Sequence, residues 1–209
     1  MFHDRIEAGL LLVKKLRKYK GENCVILGVP RGGIPVAYVV ATELDLPLDI
    51  ILSRKIGHPM NKEYAIGAAS LNDYFIEEEE YVSNEYIKEE VQTVRKRLNE
   101  MKIKFKGNKD DIELEGKTVI IVDDGIATGN TLVAAIHLLR KSKPDKIIVA
   151  VPVASNSAVE KISKEADEVI TIIVPYDFHG VGQFYESFET VNDDEVIEYL
   201  NKVNNPIKQ

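Results

Sequence analysis

The sequence has 209 residues, a length typical of one compact domain, and we predict a single domain over residues 1–209. Hydrophobic residues make up 44% of the chain and charged residues 29%, an ordinary globular composition that supports a sizeable buried core. The formal net charge of −7 argues against nucleic-acid and anionic-membrane partners, because no excess of positive charge is available to contact phosphate groups.

The chain contains one cysteine, Cys24, which excludes an internal disulfide and a cysteine-based metal cluster. It lies in the apolar run CVILGV, a position typical of a buried structural thiol rather than a reactive one. The first residues, MFHDRIEAG, lack the basic start and apolar run of a signal peptide, and no apolar run reaches the length of a membrane span. We therefore expect a cytoplasmic protein.

The first fifty residues alternate between helical and strand patterns. Asp4 followed by Glu7 is typical of a helix start, and apolar residues then recur at helical spacing until Gly21 ends the pattern. The apolar runs and their bounding polar residues predict a strand at 24–29, a helix at 33–44 and a strand at 48–52.

The middle of the chain has a different character. Residues 53–63 are polar and interrupted by glycine and proline, which predicts an exposed mobile loop. Two short strands, 64–71 and 74–76, are predicted to form a hairpin, and residues 84–104 to form a charged helix. We assign residues 72–112 to an inserted helical arm. The thin apolar stripe of its helix suits packing either on its own domain or on a partner, and consists of Tyr86, Val91, Val94 and Leu98.

Regular alternation resumes in the last ninety residues. The patterns there predict strands at 118–122, 146–151 and 169–173, and helices at 131–140, 157–164 and 193–203. Strands that alternate with helices of about ten residues imply right-handed crossover units and a parallel sheet. The predicted fold class is therefore α/β.

The string VIIVDDGIATGNT, residues 119–131, is the most informative segment. Its two aspartates, Asp123 and Asp124, follow a buried strand, at the sheet edge where ligands bind in open α/β folds. The small and hydroxylated residues that follow lead into a helix, so their N–H and hydroxyl groups can bind a phosphate. Carboxylates would repel that phosphate unless they bind something else, and a sugar diol suits them because each oxygen can accept a hydroxyl proton. The string therefore predicts a ribose phosphate site.

Two simpler interpretations compete with this one. A lone Asp-Asp pair commonly caps a turn, with Thr128 and Gly129 starting a helix, but packing alone does not require the complete string. A Walker phosphate loop is a poor alternative, because the segment has no Gly-Lys-Thr/Ser ending.

The string resembles the motif with which type I phosphoribosyltransferases bind 5-phosphoribosyl 1-pyrophosphate (PRPP). The resemblance implies their fold, a central mainly parallel sheet flanked by helices and covered by a hood. It also implies that Asp123 and Asp124 form the catalytic acidic pair on the ribose hydroxyls, with Asp124 the better candidate for a second role near the leaving group or base. The residues implied to bind the 5-phosphate are Ala127, Thr128, Gly129, Asn130 and Thr131.

Two other segments fit the same family. The string GVPRGG, residues 28–33, occupies the place of the family's pyrophosphate loop, which often contains a non-proline cis peptide, and the resemblance implies a pyrophosphate role for Arg31, Gly32 and Gly33. The segment SRK, residues 53–55, stands where a flexible lid begins. Arg54 and Lys55 are implied to neutralise the diphosphate, with His58 and Lys62 as weaker candidates. Read alone, both segments are also compatible with ordinary surface turns.

Residues 175–190 stand where the family's hood covers the acceptor base. Their aromatic residues and glycines suit the binding of a flat heterocycle, although Phe184 and Phe188 are also compatible with core packing. The segment lacks the lysine-then-aromatic pattern expected of a 6-oxopurine enzyme, which disfavours hypoxanthine and guanine. The candidate acceptor contacts are Ile126, Tyr176, Asp177 and Phe178.

The resemblance extends over nearly the whole chain, residues 4–200, to a group of bacterial and archaeal phosphoribosyltransferases of similar length. It implies transfer of the phosphoribosyl group from PRPP to a nitrogenous, nucleobase-like acceptor with release of pyrophosphate. Mg²⁺ would be bound mainly through PRPP, without dedicated metal ligands in the protein, and the protein is expected to be a homodimer. The alternatives are a non-catalytic PRPP-binding regulatory protein and a structural protein that retains only the fold.

Overall fold

Five apolar strands pair in parallel to form the central sheet of the computed structural model, which describes residues 1–76 and 82–204. Three further strands form a separate antiparallel sheet. The strands in chain order are β1 (Cys24–Gly28), β2 (Leu48–Ile50), β3 (Ser53–His58), β4 (Asn61–Ser70), β5 (Tyr74–Ile76), β6 (Thr118–Val122), β7 (Lys146–Val153) and β8 (Glu168–Ile173).

Helices cover both faces of the central sheet, whose strand order is β2-β1-β6-β7-β8. Side chains of β1, β6 and β7 alternate between two cores, one under the first, second and sixth helices and one under the fourth and fifth. Burial on both faces explains their almost wholly apolar sequences. The predicted α/β fold is confirmed. The helices are α1 (Arg5–Leu16), α2 (Gly33–Leu44), α3 (Asn84–Lys106), α4 (Asn130–Arg140), α5 (Asn156–Ile162) and α6 (Asp193–Asn204).

Local signals mark the start of α1 and the environment of the cysteine as predicted. The side chain of Asp4 accepts a hydrogen bond of 2.9 Å from the backbone N–H of Glu7, which caps the helix. The Cys24 thiol is 4% exposed in the core, and burial raises its pKa, which confirms the structural interpretation. None of the helices in the described ranges is long and apolar enough to cross a bilayer.

The mobile loop predicted for residues 53–63 is wrong. This stretch forms β3, a tight turn and the beginning of β4, paired in antiparallel register from Ser53 with Ser70 to His58 with Asn61. The strand is polar because much of it faces solvent, while Ile56 is fully buried against α3. The pattern of burial along β3 does not alternate, so no period-two signal marks it in the sequence.

The apolar stripe of α3 packs on this chain's own small sheet. Val91, Val94 and Leu98 are buried against Ile56 and Ile66. The small sheet and α3 together form the segment between β2 and β6 of the central sheet. This segment begins with β3, and its elements β5 and α3 lie within residues 72–112.

A buried ion pair attaches the end of α3 to the central sheet. The ammonium group of Lys106 lies 2.7 Å from the carboxylate of Asp49 on β2, and both side chains are 8% exposed. Asp49 also accepts a hydrogen bond of 3.1 Å from the backbone N–H of Ile112. These contacts stabilise the position of the small sheet beside the carboxyl end of β2.

Candidate functional site

The acidic pair lies at the carboxyl end of β6, and the PRGG loop (residues 30–33) packs directly on it. A Cβ atom on Gly32 would lie 2.2 Å from an oxygen of Asp124, and one on Gly33 would lie 2.8 Å from an oxygen of Asp123. Only glycine permits this approach, so the structure brings together two segments that the sequence analysis predicted separately. The peptide bond between Pro30 and Arg31 is cis.

Burial and mutual repulsion govern the charge of the acidic pair. Burial raises the pKa of Asp123 well above its usual range, and the neighbouring charge of Asp124 raises it further. Burial also raises the pKa of Asp124, while the guanidinium of Arg5 opposes that rise. The backbone N–H of Asp124 donates a hydrogen bond of 2.8 Å to the carboxylate of Asp123.

Arg5 is a site residue that the sequence analysis missed. Its Nε atom donates to an oxygen of Asp124 at 2.9 Å, and one terminal nitrogen donates to the carbonyl of Glu189 at 2.7 Å. Its guanidinium lies 3.9 Å from the ring centroid of Phe188. One signal was available: a cation at the first position of a helix opposes the helix dipole and therefore needs a specific partner.

The amino-terminal residues pair with the hood segment (residues 175–190) beside this arginine. The backbone N–H of Phe2 donates to the carbonyl of Phe184 at 2.7 Å, and that of Glu186 donates to the carbonyl of Phe2 at 2.9 Å. The buried hydroxyl of Tyr185 donates to the backbone carbonyl of Asp124 at 2.6 Å, and burial raises its pKa. The hood segment is therefore fixed to the acidic pair.

Hydrogen bonds from a residue between β7 and α5 fix the phosphate loop (residues 127–131) and the residue before it. The backbone N–H of Ser155 donates to the carbonyl of Ile126 at 3.0 Å, and its hydroxyl donates to the carbonyl of Ala127 at 2.6 Å. Gly129 adopts a φ of +75° immediately before α4, a conformation that favours glycine. With these carbonyls bonded to the scaffold, the loop leaves Thr128 and Thr131 exposed.

A cavity of about 630 Å³ opens beside the phosphate loop and the amino end of α4. Arg54 and Lys55, both exposed on β3, line this cavity together with Thr128 and Thr131. Lys161 of α5, another residue missed from the sequence, lines the same cavity and donates to the side-chain oxygen of Asn130. Positive charge therefore surrounds a helix amino terminus, as an anion site requires.

Arg31 lies away from that cavity, at the amino end of α6. Its side chain is half exposed, and its Nε atom lies 2.6 Å from the carboxylate of Asp193, which also contacts Lys104. These cations lower the pKa of Asp193, with the hydrogen bond from Lys104 as the largest cause.

The four candidate acceptor residues differ widely in exposure. Ile126 is buried in the core, whereas Tyr176 is fully exposed. Asp177 is exposed and lies 3.1 Å from His179, and Phe178 stacks on Phe184 with ring centroids 5.8 Å apart.

The two weaker lid candidates make local contacts in the hairpin of β3 and β4. His58 accepts a hydrogen bond of 3.1 Å from the backbone N–H of Met60. Lys62 lies 2.8 Å from Glu90 of α3 and also donates to the hydroxyl of Tyr86. Across residues 1–76 and 82–204, no three histidine, cysteine, aspartate or glutamate side chains converge to hold a metal ion.

Comparison with known proteins places the chain in a family. A family model described as "Phosphoribosyl transferase domain" matches residues 5–188. A Mycobacterium tuberculosis protein named "Putative phosphoribosyl transferase" is 37% identical over 207 residues, which cover 97% of this chain and 47% of that protein. Nearly all of this chain is matched, but it spans only about half the length of these curated relatives.

A shorter match and a solved structure agree with this relationship. Over 68 residues, which are 31% of this chain and 24% of the relative, it is 41% identical to a ribose-phosphate pyrophosphokinase of Pyrococcus furiosus. The crystal structure of the protein TT1426 from Thermus thermophilus superposes with a TM-score of 0.87 at 37% identity, covering 95% of this chain and 97% of that one. Because the family model spans the acidic pair, the PRGG loop and the phosphate loop together, we conclude that this chain belongs to the phosphoribosyl transferase domain family.

Proposed function

We propose that the protein binds PRPP and transfers its 5-phosphoribosyl group to a nitrogenous, nucleobase-like acceptor with release of pyrophosphate. The observation that carries this proposal is the contact of Gly32 and Gly33 with the acidic pair. It sets an anion-compatible loop and two carboxylates side by side, and the phosphate loop follows them within a few residues. A ligand with a diphosphate, a diol and a second phosphate matches this order of groups.

In this proposal the protein acts by positioning and by neutralising charge. The carboxylates of Asp123 and Asp124 accept hydrogen bonds from the ribose hydroxyls, and the phosphate loop binds the 5-phosphate through backbone N–H groups and threonine hydroxyls. The acceptor nitrogen attacks C1 of the ribose as the bond to the diphosphate breaks, through an oxocarbenium-like transition state. The electron pair of the breaking bond leaves with pyrophosphate, and an acceptor nitrogen that carries a proton releases it to solvent.

Mg²⁺ fits this site as a partner of PRPP rather than as a resident ion. Arg5 engages one oxygen of Asp124, and the backbone N–H of Asp124 engages one oxygen of Asp123, which leaves fewer carboxylate oxygens for direct contact with the ion. When bound, the ion would neutralise the diphosphate through PRPP oxygens and water, as Mg²⁺ commonly does at phosphate sites.

Arg54 and Lys55 retain a proposed role in neutralising substrate phosphate. Both line the cavity that Thr128 and Thr131 also line, which supports a contact with the 5-phosphate in addition to the proposed contact with the diphosphate. We also propose that the protein is a cytoplasmic homodimer and that residues 72–112, of which the structure describes 72–76 and 82–112, form an inserted arm.

PRPP binding is tested by isothermal titration in the presence of Mg²⁺. The double variant Asp123→Asn, Asp124→Asn should lose measurable binding, because an amide no longer presents two acceptor oxygens to the diol. The double variant Asp110→Asn, Asp145→Asn makes the same change of charge at exposed positions outside the site and serves as the control. Equal PRPP affinity in the wild type and the acidic-pair variant would show that the site assignment is wrong.

A non-catalytic PRPP-binding regulatory protein is the second candidate, and the full exposure of Tyr176, one of the predicted acceptor contacts, favours it. Incubation with PRPP and a panel of purine, pyrimidine and pyridine bases distinguishes the two. Release of pyrophosphate with at least one base supports transfer, whereas tight PRPP binding without release across the panel supports the regulatory function.

A further inference from the structure

Arg5 links three parts of the candidate site that are far apart in sequence. It begins α1, its partner Asp124 follows β6 at a separation of 119 positions, and its other contacts, Phe188 and Glu189, lie in the hood segment. A side chain that bonds to a carboxylate, a carbonyl and an aromatic face at once is restricted to one orientation.

This placement costs stability unless the partners offset it. The side chains of Arg5 and Asp124 are 11% and 13% exposed, so both charges are largely withdrawn from water. The positive charge also lies at the amino terminus of a helix, where the dipole disfavours cations. The carboxylate and the carbonyl of Glu189 are the contacts that compensate for this.

The charged and titratable groups around Asp124 come from three elements. Arg5 approaches from α1, Asp123 adjoins it at the end of β6, and Tyr185 contacts its backbone from the hood segment. The PRGG loop touches it through Gly32, while the side chain of Arg31 pairs with Asp193. Of the three side chains facing Asp124, Arg5 is the one with positive charge.

We propose that Arg5 is a positioning residue that keeps Asp124 ionised and oriented toward the ribose and that couples this carboxylate to the hood segment. The proposal rests on the proposed function for the identity of the ribose ligand. Arg5 itself acts through Asp124, because the carboxylate, the hood carbonyl and the ring of Phe188 occupy its guanidinium.

The first measurement uses the ligand-free protein. Carbon-13 NMR of the Asp124 carboxyl group is followed as a function of pH in the wild type and in Arg5→Gln. Loss of the guanidinium should move the Asp124 titration to higher pH, because the opposing positive charge is gone. Arg17→Gln, an exposed arginine just beyond the same helix, makes the same change of charge and should leave the titration unchanged.

The second measurement is PRPP affinity across the same pH range. Arg5→Gln should bind PRPP about 10- to 100-fold more weakly near neutral pH, and the acid limb of its binding profile should shift to higher pH. Arg5→Lys keeps a positive charge without the planar fork, so it should keep the wild-type acid limb while losing part of the affinity.

The outcomes separate this proposal from the proposed function. An unchanged Asp124 titration in Arg5→Gln overturns the role of Arg5, whatever the PRPP affinity of that variant. A wild-type protein that does not bind PRPP overturns the proposed function, while the NMR titration still decides whether Arg5 controls Asp124. If circular dichroism shows that Arg5→Gln does not fold, the test uses Arg5→Lys. Reduced PRPP affinity with the acid limb of the wild-type pH profile supports the proposal, and unchanged PRPP affinity overturns it.

Discussion

At the scale of single residues, Asp123 shows how the site opposes the stability of the fold. Its carboxyl group is partly buried beside another carboxylate, and this loss of hydration raises its pKa. A raised pKa in the folded state means that the folded protein binds the proton more tightly than the unfolded chain. The contribution of this group to stability is therefore largest at low pH, and it falls as the pH rises from the unfolded value of 3.8 through the raised one.

We expect Asp123→Asn to stabilise the protein at neutral pH while it abolishes PRPP binding. The neutral amide removes the buried charge, which should raise the free energy of unfolding by about 1 kcal/mol, or Tm by about 2–4 °C. Asp124→Asn should do the opposite and destabilise the fold by about 1–3 kcal/mol, because it leaves the buried Arg5 without its ionised partner. Thermal unfolding at pH 7 compares the two, and a lower Tm for Asp123→Asn would contradict the assignment.

Gly33 is the second position at which one residue decides the geometry. A Cβ atom there would lie 2.7 Å from the Cα atom of Asp123, and backbone cannot move aside as a flexible side chain can. Gly33→Ala should therefore push the PRGG loop off the acidic pair, weaken PRPP binding at least about tenfold and lower stability by about 1–3 kcal/mol.

Calorimetric titration and thermal unfolding measure both effects of Gly33→Ala. Gly180→Ala is the control for stability, because a Cβ atom at Gly180 would meet nothing within 4 Å. A Gly33→Ala protein with wild-type Tm and affinity would show that the close approach is unnecessary.

At the scale of elements, α5 contributes a cation to the proposed 5-phosphate site. Lys161→Gln should weaken PRPP binding about tenfold, because it removes a charge-assisted contact beside the phosphate loop. The affinity for ribose 5-phosphate, measured by its competition with PRPP, should fall by a similar factor. The affinity for pyrophosphate, measured in the same way, should not change. Lys164→Gln, at an exposed position three residues further along, is the matched control. Equal loss in both variants would indicate a general effect of charge rather than a contact.

Within the small sheet, β3 is the strand that sequence reasoning missed, whereas the hairpin of β4 and β5 was predicted and is confirmed. Glycine, proline and charged residues in 53–63 favour a loop. The strand forms because it pairs with β4 and packs against α3, and local propensity does not include either contact. The helix α3 was predicted almost to its ends because its signals are local. Its start is capped by Ser83, whose side chain accepts from the backbone N–H of Tyr86.

At the scale of the whole molecule, PRPP binding should be visible as a shift of the unfolding transition. Ligand at one hundred times its Kd stabilises the folded state by about 2.7 kcal/mol, which raises Tm by about 5–10 °C for a chain of this length. Differential scanning fluorimetry with PRPP and Mg²⁺ measures the shift, and the acidic-pair double variant should show none. A comparable shift with Mg²⁺ alone would argue against PRPP as the ligand.

Several parts of the molecule follow from its sequence alone because their physical causes are local. Apolar runs indicate the buried strands, and the cap at Asp4 indicates the start of α1. Two aspartates followed by a loop of small residues indicate the ligand chemistry. These features depend on residues within about ten positions of one another, so a one-dimensional pattern contains them.

Tertiary structure alone decided which distant groups complete the site. Arg5 reaches Asp124 because α1 packs on α2, β7 and β8, which brings its first residue to the acidic pair. Lys161 reaches Asn130 because α5 follows β7, the strand beside β6. Arg54 and Lys55 line the same cavity as the phosphate loop because β3 pairs with β4 as a strand instead of extending as a loop. Such contacts depend on how helices and strands pack together, and no local spacing in a sequence encodes that packing.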